Sequence, residues 1–250
     1  PENHLSHAKL NQLVRTIRDN SANRQIIITT HSSFVANKLG LDDLILLSNR
    51  KTLKLNELSS GTKAFFEKIA GYDTLRLILC HKAILVEGDS DELVVQKAYQ
   101  MQNEGRLPIE DSVEVISVGV SFLRFLEIAD KLGKPTCVVT DNDADVVALE
   151  NKYAAYLGAN AKEHIKICYD SYVDEGDHTI GGKPYNYNTL EPKLVKANNL
   201  QVMNTLLGKD YQTIEELYTH MKSNKTECAL KIFESDEPIT YPQYILDALT

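Results

Sequence analysis

Short apolar runs alternate with amphipathic stretches along the last two thirds of the chain. Four runs have the length and continuous apolar character of buried strands, and they lie at residues 83–87, 113–118, 136–141 and 165–169. Each of the first three runs is followed by a stretch with apolar residues at helical spacing. These stretches lie at residues 90–103, 121–132 and 145–157. Buried strands that alternate with helices are typical of a parallel sheet with helices on both faces. The sequence therefore predicts an α/β fold here.

The two flanking parts of the chain follow other patterns. Ahead of residue 82 the sequence predicts a buried strand, the two strands of a hairpin and a pair of connecting helices, at residues 25–30, 42–48, 52–56 and 61–82. Beyond Glu191 the apolar spacing is largely helical, with patterns at residues 198–208, 213–223 and 225–234. We therefore expect helical additions at the C-terminal side of the α/β domain.

Composition places the chain among ordinary globular proteins, with 43% hydrophobic and 25% charged residues. No apolar run approaches the roughly 18 residues that a membrane span needs, and the first residues lack the pattern of a signal peptide. The four cysteines are scattered and form no CxxC pair. Scattered cysteines indicate reduced thiols, so we expect a cytoplasmic protein with neither a membrane partner nor a zinc site.

Charge is distributed unevenly around the net value of −8. Residues 1–80 contain 11 basic and 7 acidic residues, whereas residues 81–250 contain 16 basic and 28 acidic residues. The balance is thus +4 in the first part and −12 in the second. An acidic domain binds the nucleic-acid backbone poorly by itself, but bound divalent cations reverse the local sign of charge.

Carboxylates follow two of the predicted strands. Glu87 ends the first strand, where Gly88 permits a sharp turn, and Asp141 and Asp143 follow the third. The carboxyl ends of parallel strands share one edge of a sheet, where like charges repel unless a cation lies between them. Helix capping explains the acids within 89–92 but not the two at the strand ends. Because hard oxygen ligands favour Mg²⁺ or Mn²⁺, we predict a site for one or two such ions.

The stretch "ILVEGDSDELVV", followed further along by "VVTDNDAD", resembles a Toprim domain, which has a glutamate after its first strand and a DxD motif after its third. Two further segments resemble the OLD (overcoming lysogenization defect) family of nucleases. The pattern "VEGxSDxxxV" is matched through Ser90 and Asp91, and a later "TLE" segment is matched at Glu191. Members of that family also carry a lysine near the end of the domain.

The resemblance implies a metal-dependent DNA endonuclease, which either nicks DNA or cleaves both strands. The implied metal ligands are five carboxylates: Glu87, Asp91, Asp141, Asp143 and Glu191. The catalytic residues implied are Glu87, Asp141 and a lysine, which we assign to Lys225, although Lys222 and Lys231 lie nearby in the sequence. That lysine would stabilise charge on the scissile phosphate.

The beginning of the chain resembles the end of an ABC-type ATPase head, as found in OLD, RecF and SMC-like proteins. "PENHLSHAKL" resembles the segment after a Walker B strand, matched at Glu2 and His4, and "IIITTHSS" places His31 where an H-loop histidine contacts nucleotide. No GxxxxGK[ST] motif occurs in the sequence. We therefore expect that the chain begins inside an ATPase domain and that ATP binds only to the full-length protein.

The resemblance divides the chain into an ATPase remnant at residues 1–58, connecting helices at 59–81 and a Toprim nuclease domain with helical additions at 82–250. The implied partners are DNA and further copies of the chain, in a dimer or a larger assembly. Some relatives also pair with a UvrD-like helicase, and many act in anti-phage defence or DNA processing. ATPase regulation of the nuclease is implied as well.

Two other functions remain open from the residues. In a HAD-like phosphatase, Asp141 would be the phosphorylated nucleophile and Asp143 the acid and base. A non-catalytic Toprim scaffold in DNA recombination or repair would keep the fold without the chemistry. Metal-dependent cleavage of plasmid DNA distinguishes these functions from a nuclease.

Overall fold

The computed structural model describes residues 5–20, 24–30, 32, 35, 44–48, 50–54, 57–68 and 72–250. The chain divides into two compact units. The described part of Pro1–Cys80 together with Leu123–Lys134 forms the first unit, and His81–Phe122 together with Pro135–Thr250 forms the second. All predicted site residues belong to the second unit except His31, which lies outside the described residues.

The first unit contains helices and one hairpin. Its elements are α1 (His7–Asp19), β1 (Ile45–Ser48), β2 (Lys51–Lys54), α2 (Ser60–Lys68) and α3 (Tyr72–Leu79), together with most of α5 (Phe122–Leu132). The strands β1 and β2 pair antiparallel, which confirms the predicted hairpin. Helices α2 and α3 confirm the predicted connecting pair.

The buried strand predicted at residues 25–30 is wrong. The described segment 24–30 contains neither helix nor strand, and the side chain of Ile27 is 83% exposed. A strand needs a neighbour for its backbone hydrogen bonds, and no strand in the described ranges pairs with this segment. Apolar character alone was therefore not enough to form the strand.

Four parallel strands form the sheet of the second unit. They are β3 (Lys82–Val86), β4 (Val113–Ser117), β5 (Thr136–Val139) and β6 (Ile165–Cys168), in the order β4-β3-β5-β6. All four strands were predicted from their continuous apolar runs. Residues 83–86 are completely buried, as expected for a strand covered on both faces.

The order of the strands determines where a ligand can bind. The chain passes from β3 to β4 on one side and then returns to β5 on the other side of β3. A crevice therefore opens between the carboxyl ends of β3 and β5, where the order reverses. Ligands of open α/β sheets bind at such a point.

Helices and a second hairpin complete this unit. The elements are α4 (Asp89–Gln102), α6 (Val146–Lys152), β7 (Thr179–Ile180), β8 (Lys183–Pro184), α7 (Leu190–Ala197), α8 (Leu200–Leu207), α9 (Ile214–Ser223), α10 (Lys225–Glu234) and α11 (Gln243–Leu249). Short 3-10 turns lie at Pro108–Asp111 and Gly158–Asn160. Buried residues of α4 such as Val94 and Ala98 share one core with Leu194 of α7 and Ile245 of α11. Burial of this apolar surface is the main force that stabilises the unit.

One helix is shorter than its pattern predicted. The sequence predicts a helix at residues 145–157, but α6 ends at Lys152. Asp145 caps its first turn by accepting a hydrogen bond from the backbone N–H of Ala148. At the other end the chain turns at Tyr153, whose side chain is completely buried.

None of the helices in the described ranges has the length and apolar character required to span a bilayer.

Candidate active site at the switch point of the sheet

Two carboxylates follow the neighbouring strands β3 and β5. Glu87 comes directly after β3, and its side chain is exposed. Its backbone carbonyl accepts hydrogen bonds from the hydroxyl of Ser117 (3.2 Å) and the N–H of Gly119 (3.0 Å). Asp141 follows β5 two residues after its last member. The sheet therefore brings both residues to the crevice at its switch point.

Asp91 lies in the first turn of α4, beside the same edge. Its carboxylate accepts a hydrogen bond of 3.1 Å from the backbone N–H of Gly88. The pKa of Asp91 is raised to about 6, chiefly by burial, against the lowering effect of that hydrogen bond and with smaller contributions from the repulsion of Glu191 and Glu87. Asp91 is therefore a largely buried carboxylate with two other carboxylates near it.

Asp141 experiences the same crowding more strongly. Burial and then repulsion from Asp91 and Glu191 raise its pKa well above the ordinary value. One carboxylate oxygen accepts a hydrogen bond from the backbone N–H of Leu190 (3.1 Å), and the other lies 3.4 Å from the hydroxyl of Tyr244. The start of α4, the end of β5 and the start of α7 thus meet around Asp141.

The turn after Asp141 has an unusual backbone. Asp143 and Ala144 have φ values of 49° and 64°, in the left-handed region that L-residues seldom adopt. Asn142 is almost fully buried and supports the turn, because its side-chain oxygen accepts a hydrogen bond of 3.0 Å from the N–H of Ala144. Its side-chain nitrogen donates to the carbonyls of Asp170 (2.6 Å) and Tyr172 (3.0 Å).

Asp143 lies on the exposed side of this turn. The side-chain amide of Asn186 donates a hydrogen bond of 3.0 Å to its carboxylate. Its charge also contributes, as the smallest of the causes, to the raised pKa of Asp141. Asp143 is therefore near the cluster but more accessible to water than Asp91, Asp141 and Glu191.

Glu191 joins the cluster from the first turn of α7, and it is only 4% exposed. The ammonium of Lys225 lies 3.0 Å and 3.1 Å from its two carboxylate oxygens. Burial alone would lower the pKa of Lys225, but the attraction of Glu191, followed by that of Asp141 and Asp91, raises it. Lys225 is therefore charged at neutral pH and faces the carboxylates.

The two neighbouring lysines have other surroundings. Lys222 lies over the ring of Tyr185, 5.8 Å from its centroid. Lys231 donates a hydrogen bond of 2.8 Å to the carbonyl of Leu207. Of the three lysines considered from the sequence, Lys225 is the one that lies against Glu191.

The donor set fits a hard divalent cation. Glu87, Asp91, Asp141 and Glu191 offer carboxylate oxygens, which are the ligands that Mg²⁺ and Mn²⁺ prefer. Burial and mutual repulsion raise the pKa values of Asp91 and Asp141, and a bound cation would oppose both effects. Within the described residues, no three His, Cys, Asp or Glu side chains already form a metal-binding group. Asp91 and Asp141 each direct an oxygen to a backbone N–H instead.

The part of the chain that carries most of this site matches the model of a known domain. Residues 78–143 match the family model of the overcoming lysogenization defect protein-like Toprim domain. This segment is similar to the Toprim domain of OLD-like proteins. The match includes β3, α4 and β5 and four of the five predicted metal ligands. Toprim domains generally bind divalent metal ions.

Solved structures of an OLD protein are also similar to the chain. Three structures of the C-terminal region of the Xanthomonas campestris pv. campestris OLD protein, phased with platinum, mercury and iodine, are 16%, 19% and 18% identical to it. They cover 70%, 68% and 68% of this chain and 92%, 93% and 92% of their own, with TM-scores of 0.44, 0.44 and 0.43. No curated protein matches the chain.

Sequence reasoning overlooked the polar residues that support the Toprim site. Asn142 was visible in the sequence, and asparagine tolerates left-handed turns and bonds to nearby backbone, so its role could have been found. The lysine and aspartates beneath it, Lys193, Asp170 and Asp174, carry no pattern that separates them from solvated positions. Tyr244 comes from the far end of the chain and approaches Asp141 only through the fold.

Proposed function

We propose that the Toprim domain of this chain is a metal-dependent DNA endonuclease that hydrolyses phosphodiester bonds. The observation that carries the proposal is the grouping of Asp91, Asp141 and Glu191 at the switch point, with the charged Lys225 against Glu191. A buried surplus of carboxylates costs stability. A role in binding a divalent cation explains why the surplus is present.

The carboxylates and the lysine of the site would have different roles in the reaction. Glu87, Asp91, Asp141 and Glu191 would hold Mg²⁺ or Mn²⁺, with Asp143 as a further, more exposed ligand. A bound ion would supply charge for a scissile phosphate and lower the pKa of a water molecule. Lys225 would orient a phosphate oxygen and stabilise the charge that develops on it. Its side chain is about half exposed, so it is accessible to a substrate.

DNA would have to approach an acidic surface. The part of the chain after residue 80 carries a balance of −12, which opposes binding of a phosphate backbone. Cations held by the carboxylates would remove much of this repulsion at the site. Metal and DNA are therefore expected to bind cooperatively.

The wider context of the activity is part of the proposal and rests on the resemblance of the sequence. In the full-length protein an ABC-type ATPase, with His31 at its nucleotide, would regulate the nuclease. We expect self-association and a cytoplasmic role in anti-phage defence or DNA processing, with a UvrD-like helicase as a partner in some systems. DNA is the substrate in each of these settings.

The surroundings of Asp141 weaken the phosphatase alternative. A phosphorylated nucleophile directs one carboxylate oxygen at the phosphate, whereas one oxygen of Asp141 accepts a hydrogen bond from the N–H of Leu190 and the other lies 3.4 Å from the hydroxyl of Tyr244. These contacts suit a carboxylate that receives a cation better than one that attacks a phosphate.

Cleavage of supercoiled plasmid in Mn²⁺ and Mg²⁺ tests the proposal. The wild-type chain should nick or linearise the plasmid, and EDTA should stop the reaction. Asp141→Asn should abolish cleavage, whereas Asp89→Asn, an exposed acid in the same turn as Asp91, should retain it. Metal-dependent binding of DNA without cleavage would favour the scaffold, and a phosphate trapped on Asp141 would favour the phosphatase.

A further inference from the structure

A buried lysine lies beneath the candidate site. Lys193 is 4% exposed, and its ammonium contacts Asp170 at 2.6 Å and Asp174 at 2.7 Å. It also donates a hydrogen bond of 3.2 Å to the backbone carbonyl of Tyr172. A buried ammonium requires such partners, because desolvation of an unpaired charge is very costly. So deep a lysine cannot reach a bound DNA strand.

Lys193 contacts the loop at residues 170–174, and the same loop supports the turn at residues 141–144, which we call the aspartate turn. The side chain of Asn142 donates to the carbonyls of Asp170 and Tyr172, and the carbonyl of Tyr172 is shared with Lys193. Asn142 lies between Asp141 and Asp143. The contact path thus runs from the lysine, through residues 170–172, to the backbone between two of the proposed metal ligands.

The same lysine belongs to the helix of a third ligand. Lys193 follows Glu191 by two residues on α7. A pair of hydrogen bonds reinforces the link, because the N–H of Asp174 donates to the side chain of Asn188 (2.7 Å) and that side chain donates back to the carbonyl of Asp174 (2.8 Å). Asp174 is therefore joined to α7 through its side chain, which contacts Lys193, and to Asn188, which lies two residues before the start of α7, through its backbone.

We propose that Lys193 is a positioning residue, which acts through Asn142 to set the spacing between Glu191 and the turn at Asp141–Asp143. It would thereby set the affinity of the site for a divalent cation. The inference rests on the proposed function for its metal, but the geometry it describes exists without one. A role in stability alone would leave the turn unaffected once the protein is folded.

Lys196 offers a matched control. It lies on the same helix and pairs with the other oxygen of Asp174, but its side chain is 56% exposed. Lys193→Met removes the buried contacts to the loop under Asn142, whereas Lys196→Met leaves those contacts in place. Both substitutions remove one positive charge, so net charge does not distinguish them.

Hydrogen exchange in EDTA tests the geometry without metal. The N–H of Ala144 donates to the side chain of Asn142, so a loosened turn should expose it. We expect exchange in residues 141–145 to become about tenfold faster in Lys193→Met and to remain unchanged in Lys196→Met. Unchanged exchange in Lys193→Met would overturn the inference.

Titration calorimetry with Mn²⁺ tests the consequence. Residues that orient metal ligands typically change affinity by about 10- to 100-fold when removed. We expect a weakening in that range for Lys193→Met and a change within about twofold for Lys196→Met. The maximal cleavage rate of Lys193→Met should recover at saturating Mn²⁺, since a folding defect would lower that maximum without changing the affinity of the folded fraction.

Asn142→Ala keeps the test decisive if Lys193→Met does not fold. It removes the link to the turn and leaves the ion pairs of Lys193 intact, so it should reproduce both the faster exchange and the weaker Mn²⁺ binding. Wild-type exchange and affinity in Asn142→Ala would refute the path through this residue. If the wild-type chain bound no Mn²⁺, the proposed function would fail, while the exchange comparison would still decide the role of Lys193.

Discussion

Asp91→Asn should make the metal-free protein more stable at neutral pH, although it removes a proposed metal ligand. The substitution replaces a crowded carboxylate with a neutral amide of almost the same shape. The asparagine side-chain oxygen can still accept the hydrogen bond from Gly88 that Asp91 accepts now. The change therefore removes the charge and retains the cap of α4.

The size of the effect follows from the pKa. The pKa of Asp91 is about 6 in the folded protein, against an ordinary value of 3.8, and each unit corresponds to about 1.4 kcal/mol. The full difference amounts to about 3 kcal/mol. Because water still reaches part of this carboxylate, we expect a gain of about 1 to 3 kcal/mol, or roughly 2 to 10 °C in Tm.

The gain should depend on pH in a defined window. Between about pH 4 and pH 6 the folded protein keeps the proton of Asp91 and the unfolded chain loses it, so the stability contributed by this group falls as pH rises and levels off above pH 6. The asparagine does not titrate. The advantage of Asp91→Asn should therefore be small near pH 4.5 and complete at pH 7.5.

Urea or thermal unfolding in EDTA at pH 4.5, 5.5 and 7.5 measures this advantage. Asp89→Asn, from the exposed side of the same turn, should lose less than about 1 kcal/mol, which is the usual effect of one charge at a helix N-terminus. Saturation with Mn²⁺ at 100 times its Kd should stabilise the wild type by about 2.7 kcal/mol and have little effect on Asp91→Asn. An equal gain at pH 4.5 and 7.5, or a loss at pH 7.5, would refute the reasoning.

Three further predictions concern the reaction itself. Asp141→Asn should abolish Mn²⁺-dependent plasmid cleavage while the metal-free protein unfolds at the same or a higher temperature, as nicking assays and thermal melts can show. Lys225→Ala should reduce the cleavage rate far more than DNA affinity, because the charge of Lys225 acts mainly in the transition state. Lys222→Ala should change neither quantity much. Cleavage rates and DNA affinities measured at several salt concentrations would contradict this prediction if Lys222→Ala were inactive and Lys225→Ala fully active. Cleavage by this chain should not respond to ATP, and micromolar ATP binding in calorimetry would show that the start of the chain has been misinterpreted.

Burial explains why the sheet was predictable. A strand covered on both faces, such as β3, needs a continuous apolar run, and few other structures produce one of that length. The parallel arrangement then fixes the edge at which Glu87 and Asp141 lie. The starts of α8 and α9 were predicted closely, because the side chains of Asn199 and Thr213 cap their first turns.

The remaining features depend on contacts between distant parts of the chain. The apolar run at 25–30 lacks a pairing strand within the described residues. Lys193 has the sequence surroundings of a solvated helix position, and only the loop folded beneath α7 turns it into a buried ion pair. Tyr244 reaches Asp141 across more than 100 residues of sequence. No local pattern records such approaches.

Hydrogen bonds and one ion pair stabilise the largely buried carboxylates Asp91, Asp141 and Glu191. Backbone N–H groups of Gly88 and Leu190 each stabilise one carboxylate oxygen, and Lys225 partly neutralises Glu191. These contacts do not offset the cost of burial and the repulsion between the carboxylates, because the pKa values of Asp91 and Asp141 remain raised. Beneath the cluster, the ammonium of Lys193 contacts Asp170, Asp174 and the backbone carbonyl of Tyr172. Lys225 therefore compensates only part of the negative charge of the cluster, and the proposed divalent cation would compensate the rest.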